Sequence, residues 1–176
     1  MTQTIAESPT RANGNGRASD KIGKYLAFHL GPEEFGIEVM KVREIIGIQE
    51  ITAVPHTPGY VKGVINLRGK VIPVLDLRCK LGLPPVEQTQ CTCIMVVQIE
   101  TAGGPLLTGV VVDGVSEVLT IGAADIEPAP DFGREVTVYH VLGIAKVRGH
   151  VKILLDITEI LTPDEAKTIS QTAAMN

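Results

Sequence analysis

Residues 63–76 read GVINLRGKVIPVLD, and residues 143–156 read GIAKVRGHVKILLD. Six of the fourteen positions hold the same residue in both stretches. These residues are Gly63, Arg68, Gly69, Val71, Leu75 and Asp76, each matched 80 positions later by Gly143, Arg148, Gly149, Val151, Leu155 and Asp156. Apolar strands on either side of an Arg-Gly step are typical of a β-hairpin, because glycine tolerates the positive φ of a tight turn. The chain therefore contains the same predicted hairpin twice.

The repeat continues upstream of these hairpins. Further matching pairs are Gly36 and Gly109, Val39 and Val112, Val42 and Val115, and Glu44 and Glu117. In apolar pattern, residues 25–30 resemble residues 94–99, and residues 51–55 resemble residues 126–130. A unit of about 75 residues thus occurs twice. Each unit has about five strands, the size at which a small sheet curls into a barrel. The sequence predicts a mainly β fold of two similar five-stranded barrels, with a groove between them that equivalent segments line.

Short blocks rich in Val and Ile, separated by Gly and Pro, predict the individual strands. The predicted strands cover residues 25–30, 36–38, 42–48, 63–68, 70–75, 92–98, 107–112, 115–120, 141–147 and 150–155. Asp76 and Asp156 are predicted to cap short helices over residues 77–81 and 157–161. Thr162 is predicted to cap a third helix, the C-terminal helix over residues 163–173, because Pro163 follows at the first helical position.

The chain divides into three predicted segments. Residues 1–20 are rich in Ser, Thr, Asn, Gly and Pro, which follow no periodic order, and we expect a disordered tail. Residues 21–162 form the duplicated domain, divided near residues 85–90, with strand exchange between its two halves as an option. Residues 163–176 form the C-terminal helix and tail.

Composition excludes several classes of protein. The 176 residues carry a net charge of −4, with 3% aromatics and no Trp. A nucleic-acid-binding protein is expected to have a basic surface and aromatic side chains that stack on bases, so this composition argues against that function. The chain has no apolar run of about 20 residues for a membrane span and no apolar leader. Three Cys residues without an export signal indicate a reducing cytoplasm. No cofactor motif is present.

Two pairs of residues raise the question of an enzyme or a metal site. One Asp from each half, Asp76 and Asp156, is the arrangement of an aspartic-protease dyad, but the residues that follow each Asp favour helix capping. Cys91 and Cys93 could supply two metal ligands, although no second Cys pair or His motif completes a site. The alternative function is therefore a two-lobed hydrolase or metal-binding protein that uses one of these pairs.

A binding surface is the other candidate site. Arg68 lies in the turn of an apolar hairpin, and Glu44 is expected on a neighbouring strand. An arginine held by a carboxylate is a rigid planar donor suited to recognising a partner, whereas Arg148 is expected to be a solvated turn residue. Val42, Val115 and Val118 either belong to the core or form an apolar binding patch between the lobes.

Several motifs resemble CheW, the family of coupling proteins in bacterial chemotaxis. They are FGI at residues 35–37, VREI at 42–45, GVINLRG at 63–69, PVLDLR at 73–78 and VVDGVSEVL at 111–119. The resemblance covers roughly residues 25–161, and the GVINLRG block in this order is specific.

This resemblance implies two SH3-like five-stranded barrels and a non-enzymatic adaptor without cofactors. It implies binding to the regulatory domain of the histidine kinase CheA, to the cytoplasmic hairpin tip of chemoreceptors, and to further copies of the adaptor in rings. It implies a cytoplasmic protein that reaches the membrane only through receptors. The implied receptor groove involves Val42, Val115 and Val118, with Arg68 beside it and Glu44 paired to that arginine.

Overall fold

The computed structural model describes residues 23–128 and 141–174. Eleven strands are present in this part of the chain. They are β1 (Gly23–Leu30), β2 (Glu33–Glu38), β3 (Val42–Gly47), β4 (Val61–Leu67), β5 (Lys70–Asp76), β6 (Cys93–Thr101), β7 (Gly104–Val112), β8 (Gly114–Ile121), β9 (Ile126–Glu127), β10 (Val141–Val147) and β11 (His150–Leu155). All ten predicted strands are confirmed, and β9 is an addition. The predicted tail over residues 1–20 lies outside the described residues.

Helices are short and few, as predicted. Helix α1 covers Leu77–Lys80 and helix α2 covers Pro163–Ala174. Single 3-10 turns occupy Val39–Lys41, Ala123–Asp125 and Ile157–Ile160. The second predicted short helix is therefore a 3-10 turn, one residue shorter than expected.

The strands form two sheets with the same internal order. The first sheet has the order β8-β1-β2-β11-β10-β9, and the second has the order β3-β6-β7-β5-β4. Five strands of the first sheet correspond one by one to the five strands of the second. The first sheet gains a sixth because the two-residue β9 pairs with β10, whereas its counterpart Thr52 makes only a single bridge to Val64.

The two sequence repeats do not correspond to the two sheets. Strands β1 and β2 of the first repeat lie in the sheet of β8, β10 and β11, while β6 and β7 of the second repeat lie with β3, β4 and β5. Residues 85–90 join the two repeats but are not a boundary between sheets. Strands of different repeats pair in two ways. Strands β1 and β8, and equivalently β3 and β6, are antiparallel, whereas β2 and β11, and equivalently β5 and β7, are parallel.

Glycine permits these parallel pairs to form at close range. Gly36 pairs with Leu154, and its counterpart Gly109 pairs with Val74. A Cβ atom at Gly36 would lie 3.0 Å from the Leu154 side chain, and one at Gly109 would lie 3.3 Å from the Val74 side chain and 2.8 Å from Ile94 on the other neighbouring strand, β6. The repeated glycine identified in the sequence is therefore a packing requirement of the strand exchange.

Three apolar clusters stabilise this arrangement. Each lobe, meaning one sheet with its interior, has its own cluster, around Tyr25 and Leu154 in the first and around Ile72 and Val96 in the second. A larger central cluster takes residues from both sheets, including Leu26 and Phe28 of β1, Met95 and Val97 of β6, and Ile169 of α2. Successive residues of β1 and β6 alternate between the central cluster and a lobe cluster, so both strands are buried on both faces.

A capping box begins helix α2 and ties it to the second sheet. The Glu165 amide donates to Thr162 Oγ1 at 3.2 Å, and the Thr162 amide donates to Glu165 Oε1 at 2.9 Å, which satisfies two free helix donors. Glu165 also accepts from Lys80 of α1 at 2.6 Å. The Lys80 ammonium lies 4.5 Å from the centre of the Tyr60 ring. Burial, followed by the Glu165 charge, raises the pKa of Tyr60 to about 12.

One buried ion pair distinguishes the two lobes. Lys152 on β11 is buried and pairs with Glu34 on the adjacent β2. The equivalent positions of the second lobe are Ile72 and Leu107, which lie in and against its apolar cluster. The first lobe therefore contains a charged pair where its sister lobe is apolar.

We expect Glu34→Ala to destabilise the protein by about 3 kcal/mol, because it leaves the buried Lys152 ammonium without a partner. The double variant Glu34→Leu, Lys152→Ile copies the sister lobe and should be as stable as wild type or more stable. Urea unfolding measures both changes. Lys146→Ala, which breaks the exposed pair with Glu127, is the control and should cost less than about 1 kcal/mol. A double variant that is no more stable than Glu34→Ala would contradict the argument.

Candidate functional site

The β4–β5 hairpin holds Arg68 in an unusual backbone conformation. Arg68 and Gly69 form the two-residue loop between the strands, with φ values of +51° and +87°. Two central residues with positive φ are characteristic of a type I′ turn, whose twist matches that of the strands. Asn66 Oδ1 accepts a hydrogen bond from the Gly69 amide at 2.7 Å. The loop is therefore rigid, although arginine is a rare residue at positive φ.

Glu44 on β3 orients the Arg68 guanidinium, as the sequence predicted. Arg68 Nη2 donates to Glu44 Oε2. The hydrogen bond and then the charge of Glu44 raise the pKa of Arg68. The arginine side chain is nevertheless 70% exposed. Since a guanidinium has five N–H donors in a planar fork, most of its donors face solvent in a fixed direction.

The second repeat builds the same arrangement. Arg148 has a φ of +52° and is followed by Gly149 at +80°, and Arg148 Nη1 donates to Glu117 Oε2 at 3.2 Å. Its side chain is also 70% exposed. Arg148 is therefore a solvent-exposed turn residue, as expected, and it also pairs with Glu117, a carboxylate at the position equivalent to Glu44.

The three predicted valines lie along the central cluster. Val42 and Val115 are half-buried and pack against that cluster. They are the cross-strand neighbours of Val97 and Phe28, two of its members. Val118 is 53% exposed and lies opposite Leu26, another member. The valines therefore follow the open edge of the central cluster, where a partner could contact it.

Sequence reasoning missed Ile45, which belongs to the same edge. Ile45 is 44% exposed and lies opposite Met95 of the central cluster. The repeat offset of 73 residues that relates Val42 to Val115 also relates Ile45 to Val118. That offset could have identified it. We call Val42, Ile45, Val115 and Val118 the apolar edge.

A β-bulge in each edge strand separates the apolar edge from the ion pairs. The register of β3 against β6 shifts between Val42 and Glu44, and that of β8 against β1 shifts between Val115 and Glu117. In a regular strand, residues two apart share a face. The extra residue lets Val42 meet the central cluster while Glu44 lies opposite Val96 of the second lobe. The bulges thus provide apolar and charged contacts from one short strand segment.

Asp113 fixes the point at which the chain enters β8. Its carboxylate accepts from the Gly31 amide at 2.6 Å and from Arg78 Nη2 at 2.9 Å, and its own amide donates to the His29 carbonyl at 3.1 Å. Arg78 also donates to the Pro84 carbonyl at 2.7 Å. Burial alone would raise the pKa of Asp113, but the hydrogen bonds from Arg78 and Gly31 outweigh it, and the pKa is lowered. This clamp joins the β1–β2 turn, helix α1 and the start of β8.

The residues considered for chemistry have other roles or are not completed to a site in the described part of the chain. Asp76 accepts from the Cys79 amide at 3.3 Å, and Asp156 accepts from the Thr158 amide at 3.0 Å, so each caps its own helical turn. Burial, and then the neighbouring Cys91, raise the pKa of Cys93, which disfavours the thiolate that metals bind. In residues 23–128 and 141–174, no group of three or more His, Cys, Asp or Glu side chains is placed to hold a metal ion.

Comparisons with known proteins agree on one family. A CheW-like domain model matches residues 24–165. The chain is 36% identical over 157 residues to the chemotaxis protein CheW of Klebsiella aerogenes, which covers 89% of this chain and 92% of that protein. It is 36% identical to CheW of Rhizobium meliloti, over 80% of this chain and 88% of the relative. The crystal structure of the scaffolding protein TtCheW from Thermoanaerobacter tengcongensis superimposes with a TM-score of 0.72 at 32% identity, covering 82% of this chain and 97% of that one.

Within the described residues, no helix is both long and apolar enough to cross a membrane.

We expect the stability of Arg68→Gly to stay within about 1 kcal/mol of wild type. Glycine removes the cost of about 1–2 kcal/mol of a left-handed side-chain residue but gains flexibility in the unfolded chain. Gly69→Val should be clearly destabilising, because it places a branched residue at positive φ. Urea unfolding compares the two. A loss of more than about 2 kcal/mol in Arg68→Gly would mean that this arginine supports the fold rather than an exposed site.

Acid should loosen the Asp113 clamp. The folded-state pKa of Asp113 lies below its unfolded value, so the carboxylate stabilises the fold above the unfolded pKa, about 3.9. This stabilisation is lost as the pH falls through the folded pKa. Asp113→Asn should be less stable than wild type at pH 7, and the difference should shrink below about pH 4. Urea unfolding at a series of pH values measures this, and a difference that does not depend on pH would contradict it.

Proposed function

This chain belongs to the CheW family of chemotaxis adaptor and scaffolding proteins, and we propose that it couples transmembrane chemoreceptors to the histidine kinase CheA. One observation carries the proposal. The exposed guanidinium of Arg68 is held by Glu44 on β3, and the same strand provides Val42 and Ile45 of the apolar edge, which opens onto the central cluster. Protein interfaces commonly combine an apolar centre with a few fixed polar anchors.

The receptor contact is assigned to the apolar edge and Arg68. Val42 and Val115 would form its half-buried floor, and Ile45 and Val118 its exposed rim. Glu44 would act through Arg68 by fixing the direction of the guanidinium. A receptor's cytoplasmic hairpin tip would bury the four apolar side chains and accept hydrogen bonds from the free donors of Arg68.

The remaining partners follow from membership in the family. The CheA regulatory domain would bind a surface other than the apolar edge, and further copies of the adaptor would alternate with kinase domains in rings. In this proposal the protein works in the cytoplasm and reaches the membrane only through receptors. Contacts that are individually weak become firm when a lattice holds them together, because linked sites raise the effective concentration.

Rigidity is what makes such an adaptor useful. The kinase equilibrium can shift only by the difference in contact energy that the adaptor transmits between receptor states. A closely packed core deforms little under strain. The central cluster joins both lobes, so a displacement at the apolar edge would move both of them together.

The enzyme alternative has no support in the part of the chain that the structure describes. Its two aspartates cap separate helical turns, as described above, and its relatives are named as chemotaxis and scaffolding proteins. The chain is a non-enzymatic member of this family.

Arg68→Glu and Val118→Lys should each weaken binding to a purified receptor cytoplasmic fragment by about tenfold or more. A hydrogen bond to a charged group contributes about 1.5–3 kcal/mol, and burying an unpaired ammonium is also unfavourable. Calorimetry or interferometry measures the affinity, with CheA regulatory domain as the second partner. Both variants should keep their affinity for the kinase domain.

Val151→Lys is the matched control for Val118→Lys. Val151 lies on strand β11 and is 57% exposed, close to the 53% of Val118. It should bind both partners like wild type. Equal losses for both partners in Val118→Lys, or wild-type receptor affinity in Arg68→Glu, would overturn the assignment of the receptor contact.

A further inference from the structure

We propose that Arg148, held by Glu117, is a second anchor for the same receptor hairpin, so that each lobe contacts one of the hairpin's two helices. This inference rests on the proposed function, since it concerns the receptor contact. It goes beyond it by assigning a role to the β10–β11 turn of the first lobe.

The first observation is the geometric equality of the two arginines. Both occupy the first position of a two-residue Arg-Gly turn, with φ values of +51° and +52°. Both side chains are 70% exposed and both are held by a glutamate next to a β-bulge. The second repeat thus retains an arginine in a backbone conformation that disfavours it.

The second observation is that each arginine comes with its own pair of apolar-edge residues. We call one arginine with its glutamate and these two apolar residues a half-site. Arg68 accompanies Val42 and Ile45 through Glu44, which lies between them on β3. Arg148 accompanies Val115 and Val118 through Glu117, which lies between those two on β8. Each half-site therefore has one half-buried valine, one exposed aliphatic side chain and one oriented guanidinium.

The shape of the partner follows from this relation. Two antiparallel helices joined by a tip are themselves related by an approximate two-fold axis. A surface made of two equivalent half-sites offers such a hairpin the same set of contacts for each helix. The chemistry expected on each helix is aliphatic side chains next to a carboxylate, amide or carbonyl oxygen that accepts from arginine.

The two half-sites differ in how strongly the surrounding side chains hold the arginine and its turn. Glu117 is 41% exposed, against 29% for Glu44. The turn amide of Gly69 is held by Asn66, whereas Lys146 occupies the equivalent position and pairs instead with Glu127 at 2.6 Å. A less ordered anchor loses more conformational freedom on binding, so Arg148 should contribute less than Arg68.

The test measures the affinity of the full chain for a purified receptor hairpin fragment and, separately, for the CheA regulatory domain. Arg148→Glu should weaken hairpin binding by about threefold to tenfold, less than Arg68→Glu, and leave kinase-domain binding unchanged. The double variant Arg68→Glu, Arg148→Glu should bind more weakly than either single variant.

A charge swap separates docking from a purely structural role. The variant Arg148→Glu, Glu117→Arg restores an ion pair between the same positions. If Arg148 only stabilises the fold, this swap regains wild-type hairpin binding. If Arg148 contacts the partner, the swap stays defective although its urea unfolding resembles wild type. The matched control is Lys146→Glu, Glu127→Lys, which swaps an exposed pair on neighbouring strands and should bind normally.

The outcomes distinguish this inference from the proposed function. Loss of hairpin binding in Arg68→Glu but not in Arg148→Glu would overturn the second anchor and leave the receptor contact standing. Loss of kinase-domain binding alone in Arg148→Glu would make this part of the first lobe a kinase surface and also overturn the inference. Failure of the wild-type chain to bind the hairpin would overturn both.

Discussion

The central cluster between the two sheets is the constraint on which the rest of the structure depends. Strands β1 and β6 each present alternate residues to a lobe and to this shared core, and they are buried on both faces. Neither repeat can bury these faces by itself. The reciprocal exchange of strands follows, because it places β1 and β6 inside the sheets, each beside a strand of the other repeat.

The candidate site is the place where this shared core reaches the surface. The edge strands β3 and β8 flank β6 and β1, so their inward side chains continue the central cluster outward as the apolar edge. One bulge in each edge strand then turns the next side chain towards a lobe, where it meets the arginine of a hairpin turn. Apolar and charged contacts are thus positioned by the same backbone irregularity, and the clamp around Asp113 fixes where one of these strands begins.

The two lobes share their backbone arrangement but differ in some of their polar side-chain contacts. Parallel pairs, bulges, hairpin turns and arginine–glutamate pairs occur at equivalent positions in both lobes. The charged pair of Lys152 and Glu34 has an apolar counterpart in Ile72 and Leu107, and the turn-supporting Asn66 has a charged counterpart in Lys146. The first difference replaces a buried charged pair of one lobe by apolar residues in the other, and the second changes how the arginine turn is supported.

Much of this protein could be predicted from local patterns in its sequence. The Arg-Gly hairpins, the capped turns after Asp76 and Asp156, the capping box at Thr162 and the pair of Arg68 with Glu44 depend on neighbouring residues or on motif resemblance. The exchange of strands, the bulges, the burial of Lys152 and the ion pair of Arg148 were decided only in the tertiary structure. Strand pairing between distant segments depends on which faces can be buried together. A periodic apolar pattern predicts that one face of a strand is buried, but it does not predict which other strand covers that face.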